Sequence, residues 1–197
     1  MELYTTPISP NGKRVRIAAA ELGIPLELKN LDFAAGENQR PDYLALNPMG
    51  KIPTLVDRDF MLWESAAAMC YLARCKGGAV YPEEPRAEAE TLRWLFFCSC
   101  HIDPYFTTLV VERLIKPRRG GAEDGAQTKA AEDWLARFVP VIERRLAGAS
   151  YVAGAFTLAD IALGCTLELA PVLRYDLAPY PNLRAWLERL QARPTWH

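Results

Sequence analysis

The chain has 197 residues, half of them hydrophobic and 24% charged, which is the composition of an ordinary globular protein. A formal net charge of −1 gives no reason to expect nucleic acid or an anionic membrane as a partner, and no apolar run reaches the roughly 20 residues that span a bilayer. The N-terminus lacks the basic and apolar segments of a signal peptide. Five cysteines, an odd number, indicate reduced thiols in a cytoplasmic protein rather than a disulfide scaffold.

The first 78 residues alternate between strand-like and helix-like patterns. Strands are predicted at 2–5, 26–31, 54–56 and 60–62, and helices at 12–22, 43–46 and 64–75. The last two strands flank a turn-like triplet, Asp57-Arg58-Asp59, and are expected to form a hairpin. Residues 1–78 are therefore predicted to form a compact α/β domain.

The rest of the chain is predicted to be a linker at 79–86 and an all-helical domain at 87–197. The linker follows two glycines and contains two prolines, which favour an irregular segment. The predicted helices lie at 87–115, at 127–147, after Thr157 and at 182–192, with a loop at 116–125.

Three local signals refine this helical region. Pro104 predicts a kink or break near Asp103, because proline has no N–H to donate within a helix. Thr157 and Asp160 have the spacing of a capping box. Asn182 is predicted to cap the last helix.

The most informative motif is Asn-Pro-Met-Gly-Lys-Ile-Pro-Thr-Leu-Val at residues 47–56. Pro53 stands at the mouth of a strand and cannot donate a ladder hydrogen bond, so it marks an edge, a sharp turn or a cis bond. In the cis case the backbone of Ile52 faces outward and can pair with an extended peptide. Glu64-Ser65 follows at the start of a helix, where free N–H groups attract carboxylates. The segment indicates a docking site for a short anionic peptide, and a plain strand followed by a plain helix start is the alternative.

Three segments in this order resemble the cytosolic glutathione S-transferases, in particular serine-type members of the zeta, phi and theta-like kinds found in bacteria. The segments are Ser9 to Ile17, Asn47 to Ser65, and Ala155 to Ile161. The resemblance implies a thioredoxin-like N-terminal domain, a helical-bundle C-terminal domain and a homodimer. It also implies glutathione as co-substrate and a role in detoxification through attack on a small apolar electrophile.

The resemblance assigns roles to the residues around the motif. Pro53 is similar to the family's cis-proline, and Ile52 to the residue whose backbone pairs with the cysteinyl part of glutathione. Glu64 and Ser65 resemble the pair that holds the γ-glutamyl end, and Lys51 is placed to meet the glycyl carboxylate. For Lys51 a solvated surface charge is the alternative.

Four further residues are candidates for the same site. Asn38 and Gln39 fall where many family members have polar contacts to glutathione, although the common His-Lys pair is replaced here. Ser9 matches the catalytic serine and is expected to donate to the glutathione sulfur, with Asn11 as a possible second donor. For Ser9 a simple helix cap is the alternative.

The second substrate is expected to contact His101, Tyr105 and Phe106 of the helical domain. Cys98 and Cys100 next to His101 suggest a metal, but residues at i, i+2 and i+3 of a helix do not converge and no second ligand pair follows, so none is expected. A glutathione-dependent isomerase or dehalogenase and a non-catalytic scaffold protein of the same fold are the alternatives to a transferase.

Overall fold

The computed structural model describes residues 1–78 and 80–196. The described residues form two compact units. The first is 1–82, without Ala79, and the second is 83–196. Ala79, in the predicted linker, and His197, at the end of the predicted second domain, lie outside the described residues. The prediction of a thioredoxin-like α/β unit followed by an all-helical unit is confirmed.

The first unit is a four-stranded mixed sheet with three helices. Its elements are β1 (Glu2–Thr5), α1 (Pro10–Glu21), β2 (Glu27–Asn30), α2 (Pro41–Leu46), β3 (Thr54–Asp57), β4 (Phe60–Trp63) and α3 (Ser65–Lys76). The strand order is β2-β1-β3-β4, with β1 and β2 parallel and the other pairs antiparallel. The predicted hairpin is therefore confirmed as β3–β4.

Strand β1 sends alternate side chains to the two faces of this sheet. Leu3 and Thr5 are buried on the face where α1 packs. The approach there is so close that a Cβ on Gly12 would lie 1.8 Å from Thr5 Oγ1. Tyr4 points to the opposite face, where its ring centroid lies 5.8 Å from that of Tyr43 in α2.

Helices α1 and α2 and one loop of this unit differ in detail from the prediction, and α2 begins at Pro41 rather than at Tyr43. Helix α1 begins at Pro10, two residues earlier than expected, because Ser9 caps it and proline is well suited to the first helical position. A 3₁₀ turn at Glu37–Gln39 lies in a stretch predicted as loop, since a three-residue helix leaves no periodic pattern to read.

The second unit is helical. It contains α4 (Pro85–Phe97), α5 (Asp103–Val110), α6 (Lys116–Arg118), α7 (Gly125–Leu146), α8 (Leu158–Leu167) and α9 (Pro181–Gln191), with π-helical turns at Cys98–Ile102 and Val111–Ile115 and a 3₁₀ turn at Pro194–Trp196. The predicted interruption near Asp103 is confirmed as the first π-helical turn, since Pro104 has no N–H for the α-helical ladder. The predicted start of the loop at residue 116 was wrong by three residues, because residues Lys116–Arg118 are helical.

Helix α8 forms the centre of this unit, and every residue of it is buried. The predicted capping box is confirmed at its N-terminus. The carboxylate of Asp160 accepts hydrogen bonds from the backbone N–H groups of Val152 and Thr157, both at 3.0 Å, and from Trp186 Nε1 at 2.9 Å.

A second internal carboxylate serves the last helix. Glu143 of α7 accepts from the backbone N–H groups of Asn182 at 3.1 Å and Leu183 at 2.8 Å, and from the Asn182 side chain at 2.6 Å. The prediction of Asn182 as the cap was wrong, because α9 begins at Pro181 and the first-turn groups are satisfied by Glu143. No helix of residues 1–78 and 80–196 is long and apolar enough to cross a membrane.

Candidate functional site

A cavity of about 150 Å³ lies in the first unit, where the segment before β3, the end of β4 and the starts of α1 and α3 meet. It is lined by Asn11, Asn47, Met49, Lys51, Ile52, Pro53, Trp63, Glu64 and Ser65. Six of these nine residues are predicted site residues. The structure thus brings together side chains from three separate stretches of the sequence.

The loop on one side of the cavity is held by its own hydrogen bonds. Asn47 donates from Nδ2 to the Lys51 carbonyl at 2.8 Å and accepts from the Met49 backbone N–H at 3.0 Å. The Tyr43 hydroxyl donates to the same Lys51 carbonyl. Burial raises the pKa of Tyr43, which keeps this hydroxyl protonated and able to donate. The Ile52–Pro53 bond that follows is cis, as expected.

The start of α3 forms another part of the lining, through Glu64 and Ser65. Glu64 has a left-handed backbone (φ +72°) and its carbonyl accepts from the Ala68 N–H at 2.9 Å. The Glu64 side chain, at the N-cap of α3, makes no hydrogen bond to the first turn of that helix. The first N–H groups of a helix have no acceptor inside it, so this end is available to an anion in the cavity.

A buried arginine that the sequence analysis did not identify stands beside this helix start. Arg14 of α1 is 3% exposed, and its Nη1 donates to Ser65 Oγ at 3.5 Å. A signal was present in the sequence, because Arg14 lies one turn before Ala18 on the apolar face of α1. The lining residues that the sequence did not predict are Asn47, Met49 and Trp63, of which Asn47 and Met49 belong to the motif at residues 47–56.

Ser9 and Asn11 occupy different positions with respect to the cavity. Asn11 is exposed and lines it. Ser9 is half-buried, is not part of the lining, and its Oγ accepts from the Gly12 backbone N–H at 3.0 Å. A hydroxyl that accepts one hydrogen bond keeps its own proton for donation, so the cap does not prevent Ser9 from acting as a donor.

Asn38 and Gln39 also lie outside the lining. Asn38 is buried, and its Nδ2 donates to the Gly50 carbonyl at 2.8 Å, which ties the 3₁₀ turn to the loop before Lys51. Gln39 is exposed, and its Nε2 would lie 2.5 Å from a Cβ on Gly50. The contact of these two residues with glutathione stays a prediction.

The residues proposed for the second substrate do not form one group in the helical unit. His101 and Tyr105 belong to an aromatic cluster with Phe138, at centroid distances of 4.8 and 6.0 Å from its ring. Phe106 is 1% exposed and packs edge-on against Tyr175 in the core. Sequence spacing did not separate these two environments.

The cysteines give no sign of a metal centre. Cys98 is buried, whereas Cys100 and His101 are exposed. In the chain outside Ala79 and His197, no three His, Cys, Asp or Glu side chains are grouped so as to hold a metal ion. All five cysteines are free thiols.

Comparison with known families gives two matches along the chain. Residues 1–74 match the model of the glutathione S-transferase N-terminal domain, and residues 92–194 match that of the C-terminal domain. Among curated relatives, glutathione S-transferase 3 of Zea mays is 37% identical over 203 aligned positions, which cover 100% of this chain and 91% of the maize protein.

Solved structures show the same likeness. A theta class glutathione S-transferase from Xanthomonas axonopodis pv. citri, with glutathione bound, superposes with a TM-score of 0.91 at 30% identity and covers 99% of this chain and 94% of its own. Maize glutathione S-transferase I, in complex with an atrazine glutathione conjugate, gives a TM-score of 0.89 at 28% identity, covering 98% and 93%.

Proposed function

The chain belongs to the glutathione S-transferase family, and on that premise we propose that it binds glutathione in the cavity of the first unit and ionises its thiol with Ser9 or Asn11. The protein is a glutathione transferase, with glutathione as its co-substrate. The thiolate then attacks a small apolar electrophile. The observation that carries the residue assignment is the cavity itself, because it is lined by Asn11, Ile52 and Ser65 from three separate segments.

The proposed pose follows from the chemistry of the lining. Ser65 and the free N–H groups at the start of α3 suit the γ-glutamyl carboxylate, and the Glu64 carboxylate suits the ammonium group. The backbone of Ile52, beside Pro53, pairs with the cysteinyl residue. Lys51 is exposed at the other end of the loop and suits the glycyl carboxylate.

Ionisation of the thiol is the energetic requirement. A free thiol has a pKa of about 8.5, so lowering it by about two units requires roughly 2.7 kcal/mol of preferential stabilisation of the anion. A hydroxyl donor and the N-terminus of α1 together can supply this amount. The Ser9 hydroxyl stands at that N-terminus, and Asn11 lies in its first turn.

The ultraviolet absorbance of bound glutathione thiolate, titrated against pH, tests this assignment. We expect the bound thiol to titrate about two pH units below free glutathione, and the Ser9→Ala variant to lose about half of that shift or more. Ser150→Ala, which removes an exposed hydroxyl of the second unit, is the matched control and should titrate as the parent does.

Two results would change the assignment. An unaltered titration in Ser9→Ala together with a raised one in Asn11→Ala would make Asn11 the donor. An unaltered titration in both variants would remove both residues from the ionisation step. A panel of aryl halides, epoxides, peroxides and maleylacetoacetate analogues then separates simple transfer from isomerisation and dehalogenation.

We further propose that the protein is a cytoplasmic homodimer, as is typical of the family. The exposed apolar surface supports self-association. Phe60, Met61 and Trp63 on the edge strand β4 are 46%, 41% and 40% exposed in the first unit, and Phe96 and Trp134 are 65% and 41% exposed in the second. His101 and Tyr105, in the aromatic cluster with Phe138, stay candidate contacts for the electrophile. Light scattering coupled to size-exclusion chromatography measures the molar mass directly.

A further inference from the structure

A positive charge is buried directly behind the cavity wall. Arg14 lies in α1 with 3% of its surface exposed, and its Nη1 donates to Ser65 Oγ at 3.5 Å. Asn11, three residues earlier on the same helix, lines the cavity. Helix α1 therefore contributes one side chain to the cavity and a guanidinium behind it.

This contact restricts the direction of the Ser65 hydroxyl. A guanidinium has donors and no acceptor, so Ser65 Oγ must be the acceptor in its contact with Arg14. The single hydroxyl proton is then directed away from the arginine. Since Ser65 lines the cavity, the proton is available to an acceptor that lies there.

The charge of Arg14 acts in the same direction. The guanidinium stays protonated in proteins, and a charge that is shielded from water interacts more strongly with its neighbours than an exposed one. An anion held by Ser65 would also face the uncapped first turn of α3. A hydroxyl proton and a helix N-terminus thus face the same part of the cavity, and a buried cation lies behind it.

We propose that Arg14 is a positioning residue for the γ-glutamyl α-carboxylate of glutathione. It orients the Ser65 hydroxyl and adds positive charge behind the carboxylate, without touching the tripeptide. This inference rests on the proposed function, in which Ser65 holds the γ-glutamyl end. Arg14 is expected to affect the binding of that end and to leave the pKa of the bound thiol unchanged.

The test compares two peptides that differ only in the carboxylate. Dissociation constants are measured by calorimetry for glutathione and for 4-aminobutyryl-Cys-Gly, which is glutathione without the γ-glutamyl α-carboxylate. We expect Arg14→Gln to weaken glutathione binding about 10-fold or more and to change binding of the second peptide less than about 3-fold. Arg14→Lys, which keeps the charge, should lie between Arg14→Gln and the parent.

A matched control removes the same charge two residues further on. Arg16 lies on the same helix, and its Nη2 is directed to the Pro7 carbonyl at 3.5 Å rather than to Ser65. Arg16→Gln should leave both dissociation constants unchanged. Circular dichroism and the thermal midpoint show whether each variant is folded, and if Arg14→Gln is not, Arg14→Lys carries the comparison.

The possible outcomes separate the two claims. An equal loss for both peptides in a folded Arg14 variant would mean that Arg14 acts only through the structure of the first unit, which overturns its positioning role and leaves the proposed function intact. A loss for glutathione alone supports the role. Failure of the parent protein to bind either peptide would overturn the proposed function itself.

Discussion

The N-terminal turns of α3 and α8 differ in how their backbone N–H groups find acceptors. Both helices begin with backbone N–H groups that have no acceptor inside the helix. In α8 the chain supplies its own carboxylate, because Asp160 accepts from Thr157 and Val152. In α3 the residue at the N-cap, Glu64, makes no side-chain hydrogen bond to the first turn, and Glu64 and Ser65 line a cavity.

The difference indicates what each helix start is for. An internal carboxylate satisfies the N–H groups permanently and fixes the chain, as Asp160 does for α8 and Glu143 for α9. A helix start without one remains available to a carboxylate from outside. The first arrangement belongs to the stability of the helical unit, and the second suits the carboxylate that we propose is bound in the first unit. Three substitutions test this separation.

The largest effect is expected at Asp160. Asp160→Ala leaves the buried donors of Val152, Thr157 and Trp186 without their acceptor, and should lower the free energy of unfolding by about 3 kcal/mol or more. Urea denaturation measures the change. Asp176→Ala removes an exposed carboxylate that caps only the Ala178 N–H at 2.8 Å, and as the control it should cost less than about 1 kcal/mol. Equal effects of the two substitutions would show that the buried carboxylate has no special role.

The second effect should appear in binding rather than in stability. Ser65→Ala removes the proposed donor to the γ-glutamyl carboxylate and should weaken glutathione binding about 30-fold, or about 2 kcal/mol, with less than about 1 kcal/mol lost in unfolding. Retention on immobilised glutathione and calorimetry measure it, with Ser150→Ala as the control. A stability loss as large as that of Asp160→Ala, with affinity unchanged, would contradict the distinction between the two helix starts.

The smallest effect is expected at Glu143, which lies only partly buried. Glu143→Ala removes the acceptor for the first N–H groups of α9 and should lower the free energy of unfolding by about 1 kcal/mol. Glu188→Ala, an exposed carboxylate on α9 itself, serves as the control and should have no measurable effect. If glutathione affinity fell in Glu143→Ala, the helical carboxylates would not be purely structural.

Much of the fold could be predicted from the sequence because its signals are local. The β3–β4 hairpin follows from two apolar runs around a polar triplet, and the capping box of α8 from the spacing of Thr157 and Asp160. The cap of α9 could not be predicted in this way. Its acceptor, Glu143, lies 39 residues away from Asn182, and no local pattern reports a contact of that separation.

In the candidate site, too, residues of a local motif could be predicted and contacts between distant segments could not. Ile52, Pro53 and Ser65 belong to a recognisable motif and line the cavity. Arg14 was missed because its meaning depends on the packing of α1 beside α3, which brings together residues 51 positions apart. Phe106 and Tyr105 are sequence neighbours, yet one is enclosed in the core and the other belongs to a partly exposed aromatic cluster.

The close approach of Gly50 to Asn38 and Gln39 restricts which substitutions these positions can accept. Its backbone is left-handed (φ +62°), and a Cβ there would lie 2.5 Å from Gln39 Nε2 and 3.0 Å from the Asn38 carbonyl. The 3₁₀ turn and the loop that leads to Ile52 therefore fit together as a matched pair of surfaces. Substitution of Asn38 or Gln39 is tolerable only where the new side chain keeps that spacing, since a displacement of the turn would move the loop that leads to Ile52 with it.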